Sequence, residues 1–112
     1  MGDGSDRPLT FKRFSQRFPG VTEAHAALGA ATGEAGPLSA REQQLAKLGL
    51  CVGAGLESAM KSHVRRALEA GLTREEIEHA ILQGVGTLGF SSTVRAWVWA
   101  TEQMDAEAER SG

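Results

Sequence analysis

The sequence predicts an all-α fold, a single-domain bundle of five to six helices. Apolar residues recur at spacings of three and four along almost the whole chain, and the alternating pattern typical of strands is absent. Residues that begin and end helices separate these stretches. The length of 112 residues is that of one domain. We expect a disordered lead at residues 1–10, the helical domain at residues 11–104 and a frayed tail at residues 105–112.

Three phenylalanines on one face predict the first helix, and a threonine predicts the start of the second. A short first helix carries three aromatic side chains on one face, at Phe11, Phe14 and Phe18. Proline and glycine interrupt helices, so Pro19–Gly20 is expected to end this helix. A second helix is expected to begin at Thr22 as its N-cap and to end before Gly36–Pro37.

Two capping boxes mark the starts of the third and fifth helices. In a capping box, a Ser or Thr side chain accepts a hydrogen bond from the backbone three residues later, and a Glu there reaches back to the first residue. Ser39 with Glu42 has this spacing, and so does Thr73 with Glu76. The hydrophobic residues that flank the second box add a staple that strengthens the prediction of a helix start.

Glycines predict where the middle helices end. Gly53 and Gly55 are expected to weaken or bend the chain near residue 54, between the third and fourth helices. Gly71 stands where a left-handed C-cap would end the fourth helix. Gly86 and Gly89 are expected to close the fifth helix.

The last helix is expected to begin at Ser91 or Ser92 and to bury a face made of Val94, Trp97, Val98, Thr101 and Met104. Trp99 lies roughly 200° around that helix from Trp97, so both tryptophans cannot face the core of one monomer. The predicted core residues are also mostly small, so each of them buries little area. We therefore expect an interface between copies of the chain, the alternative being a single exposed tryptophan.

Charge and composition exclude several classes of protein. The net charge is −2, from 12 basic and 14 acidic residues, which does not favour nucleic acid or an anionic membrane as partner. Residues 67–81 have the form of a helix-turn-helix, but their second helix is acidic. No apolar run approaches the roughly 20 residues of a membrane span, and the N-terminus lacks the pattern of a signal peptide. A soluble, cytoplasmic protein is expected.

His63 is the titratable residue that the helical spacing directs toward apolar surroundings. Burial would keep its imidazole neutral and able to take a proton. The alternative is a packed histidine that is hydrogen-bonded to a backbone carbonyl. Gln44 and Glu57 are the polar residues that neighbouring helices offer as partners. Glu57 precedes His63 by six residues, about 240° around the helix, so a direct pair within one helix is not expected.

Cys51, the lone cysteine, excludes an internal disulfide and a zinc site of several thiolates. Its neighbours are apolar, so it is interpreted first as a small buried side chain. A reactive thiolate would need a polar or positive environment.

The stretch His63–Ile77, HVRRALEAGLTREEI, together with Arg41-Glu42 and Leu45 upstream, resembles the carboxymuconolactone decarboxylase family, which includes the alkylhydroperoxidase D-like (AhpD-like) proteins. The resemblance covers about residues 11–104. It implies an all-α fold with a central helical hairpin, assembled as a homotrimer or homohexamer. It also implies that the small-molecule chemistry of this fold needs no metal or organic cofactor in its decarboxylase branch.

The resemblance separates two chemistries. Peroxidase members carry C-x-x-C-x-x-x-H and a glutamate twelve residues before the first cysteine. In this chain the two cysteine positions are Leu56 and Ala59, the glutamate position is Gln44, and only His63 matches. Cys51 lies five residues before the first thiol position. A peroxidase with peroxiredoxin activity is therefore the alternative interpretation rather than the first.

The decarboxylase branch implies a lyase that acts on a small carboxylated lactone, with His63 moving the proton that accompanies loss of carbon dioxide. His63 and Gln44 are the predicted site residues. Charge alone suggests Arg41 or Arg95 as a partner of the substrate carboxylate. The segment Thr87–Ser92 differs from the tyrosine-glycine-proline-like segment of these enzymes, which leaves the substrate open. A third interpretation is a non-catalytic binding or scaffold protein, because a glutamine cannot relay a proton.

Overall fold

The structure is a computed structural model that describes residues 9–111, and the elements within these residues are all helices. They are α1 (Leu9–Arg17), α2 (Pro19–Glu34), α3 (Ala40–Ala54), α4 (Glu57–Glu69), α5 (Arg74–Leu82), α6 (Gly84–Leu88) and α7 (Phe90–Ser111). The predicted all-α fold is confirmed. Most of the predicted disordered lead, residues 1–8, lies outside the described residues, and Leu9 and Thr10 belong to α1.

The chain divides after Pro37 into two units. The first unit contains α1 and α2, and the second contains α3 to α7. Within the first unit, the rings of Phe14 and Phe18 lie 5.2 Å apart. Neither α1 nor α2 contains a buried residue.

The boundary between α1 and α2 differs from the prediction at one proline. Helix α1 ends at Arg17, just before the proline, as predicted, but Pro19 also begins α2. A proline fits the first turn of a helix because its missing N–H would have no partner there and its φ is already helical. Thr22 is therefore not a cap, and its hydroxyl donates a hydrogen bond to the Phe18 carbonyl within the first turn, at 3.2 Å.

Both predicted capping boxes are present. The Ser39 N–H donates to Glu42 Oε1 at 2.8 Å, and the Glu42 N–H donates to Ser39 Oγ at 3.1 Å. Thr73 and Glu76 form the same pair of hydrogen bonds at the start of α5. Gly55, with a φ of 67°, ends α3 in the left-handed conformation that glycine adopts without strain.

One arginine connects the start of α3 to the turn between α4 and α5. Arg41 Nη1 donates to the carbonyl oxygen of Gly71 at 2.7 Å, and Nη2 donates to Glu76 Oε2 at 2.7 Å. Gly71 has a φ of 95°, as the predicted left-handed cap of α4 requires. Glu76, whose side chain completes the second capping box, is therefore also bound by Arg41 of α3.

The core of the second unit is built around α4, which packs between α3 and α7. Its largest fully buried side chains are aliphatic and come from α3, α4 and α5, at Leu48, Met60, Val64, Ile77 and Ile81. Alanines complete the core where helices approach each other closely, at Ala67, Ala96 and Ala100.

The predicted fifth helix is divided by a tightened turn. The N–H of Gln83 donates to the Ala80 carbonyl, three residues back, instead of continuing the four-residue ladder. α5 therefore ends at Leu82, and the short helix α6 follows. Gly89, with a φ of 112°, ends α6 as predicted.

The position of α7 differs from the prediction in two respects. The helix begins at Phe90, so Ser91 and Ser92 lie within its first turn and neither is the cap. Its buried face is formed by Thr93, Ala96, Ala100 and Met104. Of the predicted face, Met104 is buried, whereas Val94, Trp97 and Val98 are each at least 40% exposed. The predicted inward face was wrong because small residues let α7 approach its neighbours more closely than large ones would.

Residues 105–111 form the C-terminal turns of α7. Arg110 pairs with Glu107 there, and Arg74 of α5 pairs with Asp105 at 2.7 Å. The fraying of this tail stays a prediction. Within the described residues, no helix is both long and apolar enough to cross a membrane.

Replacing Gly84 with alanine should destabilise the protein. A Cβ at Gly84 would lie 2.8 Å from Thr93 Oγ1 and 3.2 Å from Val52 Cγ1, and the Thr93 hydroxyl is held by a hydrogen bond to the Gly89 carbonyl. We expect the free energy of unfolding to fall by about 1–3 kcal/mol, the range for overpacked cores. Urea unfolding followed by circular dichroism measures the change.

Gly86→Ala is the matched control in the same short helix, because no atom lies within 4 Å of a Cβ at that position. Alanine has the higher helix propensity, so this variant should unfold at the same or higher urea concentration. Equal stability of the two variants would show that α6 does not approach α7 and α3 as described.

Candidate active site between α3 and α4

His63 lies on α4 between the buried positions Met60 and Ala67, one turn away on either side. Its Nδ1 atom is buried and has no hydrogen-bond partner among the described residues. The alternative of a histidine whose Nδ1 is bonded to a backbone carbonyl is therefore not what the structure shows. An unpaired buried polar atom costs about 1–3 kcal/mol, which makes it a feature that needs a functional or structural explanation.

The surroundings of His63 lower its pKa. Burial is the largest cause, because it removes water from the charged form. The positive charges of Arg66 and Lys47 act in the same direction. The imidazole is therefore neutral near pH 7, with one N–H and one lone pair, and can both give and take a proton.

Gln44 lies on α3, one turn before the buried Leu48. Its Oε1 atom is also buried without a hydrogen-bond partner. Because α3 and α4 pack against each other, the two predicted site residues belong to one helix pair. Each of the two residues has one buried polar atom without a hydrogen-bond partner in the described residues.

Lys47 is a residue that sequence reasoning missed. It lies on α3, one turn after Gln44, and its charge acts on His63. Arg66 does the same from α4. Neither residue belongs to an ion pair within the described residues. The spacing of three between Gln44 and Lys47 was the available signal, since it puts both on adjacent positions of one helix surface.

The other polar residues, considered as partners of His63 or of the substrate carboxylate, contact other groups. Glu57 pairs with Lys61 at 3.4 Å, so it follows the expectation that it does not pair with His63. Arg41 is engaged by Gly71 and Glu76, as described above. The guanidinium of Arg95 lies 5.4 Å from the centre of the Trp99 ring, a cation–π distance.

The two positions at which the peroxidase members carry cysteines are occupied by apolar residues in this chain. Leu56 is the residue before α4, and Ala59 packs against the core. Cys51 is buried on α3, and burial raises the pKa of its thiol. A raised pKa reduces the thiolate fraction, which is the reactive form. Among the described residues, no group of three His, Cys, Asp or Glu side chains could hold a metal ion.

A concave feature that does not include His63 or Gln44 lies along α5, α6 and α7, and we call it the α5–α7 groove. It encloses about 510 Å³. Its lining is mainly apolar, with Leu82, Val85, Phe90, Val94 and Trp97. It also includes the carboxylates of Glu75 and Glu78 and the imidazole of His79. Trp97 Nε1 donates to Glu78 Oε2 at 2.8 Å. The sequence did not predict the groove, because the predicted orientation of α7 put Val94 and Trp97, two of its apolar residues, in the core.

The lowered pKa of His63 should make the protein less stable below about pH 6.5. The unfolded histidine keeps a pKa near 6.5, whereas the folded one lies lower. The unfolded state therefore binds more protons as the pH falls through 6.5, and stability decreases until the folded pKa is reached. Well above pH 6.5 the histidine is neutral in both states and contributes no pH dependence.

Urea unfolding of the protein and of His63→Gln between pH 7.5 and 5.5 isolates this contribution. The wild-type protein should lose more stability over that range than the variant. The capping-box carboxylates Glu42 and Glu76 have lowered pKa values, through hydrogen bonds from the backbone and side chain of Ser39 and from the backbone of Thr73 together with Arg41. They act below about pH 4.5, outside the range. Identical pH dependence of the two proteins would contradict the burial of His63.

Comparisons with known proteins agree with this architecture. Among solved structures, the chain is similar to the crystal structure of the apo form of a carboxymuconolactone decarboxylase family protein from Legionella pneumophila, with a TM-score of 0.73 and 18% identity, over 87% of this chain and 86% of that chain. At that identity the likeness shows the fold. A search of curated proteins finds no match. The model of the carboxymuconolactone decarboxylase family matches residues 19–102, most of the sequence. The chain therefore belongs to the carboxymuconolactone decarboxylase family.

Proposed function

We propose that the protein is a cofactor-independent lyase that acts on a small carboxylated, lactone-like substrate, with His63 as its acid–base group. The observation that carries the proposal is the buried Nδ1 of His63, which has no hydrogen-bond partner in the described residues, on an imidazole whose pKa is lowered. A half-buried neutral histidine with a nitrogen that has no hydrogen-bond partner is suited to proton transfer near neutral pH.

The chemistry needs one proton. When the bond between the ring carbon and the carboxylate breaks, carbon dioxide leaves and the electron pair stays on the conjugated lactone. That carbon must then be protonated. His63 can take a proton from water and, as the imidazolium, deliver it to that carbon, which returns the imidazole to its neutral form, so the net reaction consumes one proton from solvent.

Two positively charged side chains near His63 would attract the substrate carboxylate. Lys47 and Arg66 both act on His63 and neither is held in an ion pair within the described residues. An anionic substrate would be attracted by both. Gln44 has no titratable proton, so its role would be to bind a substrate N–H or hydroxyl through its buried Oε1.

The peroxidase alternative is disfavoured by the thiol itself. Cys51 is buried, its pKa is raised, and the two thiol positions of the peroxidase members are Leu56 and Ala59. Peroxide reduction needs a thiolate that the peroxide can reach.

Assembly with further copies of the chain, as a homotrimer or homohexamer, is part of the proposal. It is supported by the large apolar side chains that the second unit leaves exposed, among them Phe90, Val94, Trp97 and Val98. Contiguous apolar surface of this kind is typical of interfaces.

The assay measures release of carbon dioxide from a panel of carboxylated γ- and δ-lactones. His63→Gln should lower kcat/KM by about 10²- to 10⁴-fold, the usual contribution of a general acid or base. His25→Gln removes a histidine from α2 in the other unit and should leave turnover unchanged. Turnover that survives in His63→Gln, or no turnover of any substrate by the wild-type protein, would contradict the proposed lyase. The second result would favour the scaffold interpretation.

Gln44→Leu and Cys51→Ser test the remaining roles in the same assay. Gln44→Leu should raise KM more than it lowers kcat, because the proposed contact binds substrate and moves no proton. Cys51→Ser should retain turnover of lactones. If the wild-type protein consumes an alkyl hydroperoxide and Cys51→Ser does not, the thiol mechanism would replace the one proposed here.

A further inference from the structure

The α5–α7 groove leaves large apolar side chains of the second unit exposed. Phe90 is 71% exposed and Trp97 is 43% exposed, although both belong to its apolar lining. Its lining also contains two carboxylates, those of Glu75 and Glu78, and the imidazole of His79. A partner that fits this surface must therefore present apolar bulk flanked by positive charge.

Helix α1 has this chemistry. None of its residues is buried, and Phe14 forms a pair of exposed aromatic rings with Phe18, the residue that directly follows the helix. Arg13 and Arg17 are exposed beside this pair, and the guanidinium of Arg17 lies 4.7 Å from the centre of the Phe18 ring. On a helix, Arg17 lies about 60° from Phe14, so charge and aromatic surface are presented together.

We propose that α1 of a second copy of this chain docks in the α5–α7 groove, with Phe14 and the adjoining Phe18 against its apolar lining and Arg13 and Arg17 against Glu75 and Glu78. An amphipathic helix that places apolar anchors in a groove is a recurrent mode of recognition. The inference adds a location to the self-assembly proposed above and does not depend on the chemistry at His63. Its failure and the failure of the lyase can therefore be told apart.

Charge complementarity selects this occupant over two copies of the same groove. A groove against a groove would bring Glu75 and Glu78 close to the same carboxylates of the other copy, which costs free energy. A contact between α1 and the groove pairs carboxylates with guanidinium groups. Because the two surfaces differ, the contact is heterologous, and its repetition gives a reciprocal pair or a closed ring.

The experiment uses two charge-reversed variants of the whole protein, with molar mass measured by light scattering during gel filtration at low salt. The wild-type protein should elute as an oligomer. Glu75→Lys/Glu78→Lys and Arg13→Glu/Arg17→Glu should each elute as monomers with helical circular dichroism. Glu109→Lys, an exposed charge reversal near the end of α7, should keep the wild-type mass.

The decisive measurement is the molar mass of a mixture of the two charge-reversed variants. The basic groove of the first variant complements the acidic α1 of the second, so the mixture should regain a species heavier than a monomer. Phe14→Ser should weaken self-association at least tenfold in sedimentation experiments. A monomeric wild-type protein, variants that keep the wild-type mass, or a mixture that stays monomeric would each overturn the proposal. These outcomes would leave a small apolar ligand or an unrelated protein as the occupant.

Discussion

The close approach of α7 to the rest of the second unit is the constraint on which the other features depend. α7 turns Thr93, Ala96 and Ala100 toward the core, and Gly84 of α6 leaves no room for a methyl group in front of Thr93. Small side chains allow short distances between helices, and dense packing then supplies dispersion contacts that large residues would supply elsewhere. A bulkier residue at any of these positions would move α7 outward.

This constraint has consequences on both sides of the bundle. On the outside, the larger apolar residues of α7 face away from the core, and with α5 and α6 they form the α5–α7 groove. On the inside, α4 is held between α7 and α3, which fixes the backbone that carries His63. A catalytic histidine benefits from such support, because proton transfer requires a fixed geometry. The rigid core and the exposed groove are thus two results of one orientation.

Local signals predicted the parts of the fold that depend on neighbouring residues. The capping boxes at Ser39 and Thr73 were predictable because each is complete within four residues. The orientation of α7 was not, since apolar residues occupy more than one of its sides and only the packing of alanines decides between them. For the site, spacing predicted His63 and the family resemblance indicated Gln44. The influence of Lys47 depends on how α3 lies against α4, which no local pattern contains.

The central claim is that His63 is a half-buried, neutral group whose buried Nδ1 lacks a partner within the described chain. A pH titration of the histidine side chains by ¹H–¹⁵N NMR tests it most directly, with His63→Gln used to assign the signal. We expect His63 to have a pKa below 6.5. We also expect the chemical shifts of its ring nitrogens to change when a small lactone carboxylate is added at pH 7. A pKa at or above 6.5, with nitrogen shifts that do not respond to such compounds, would contradict it.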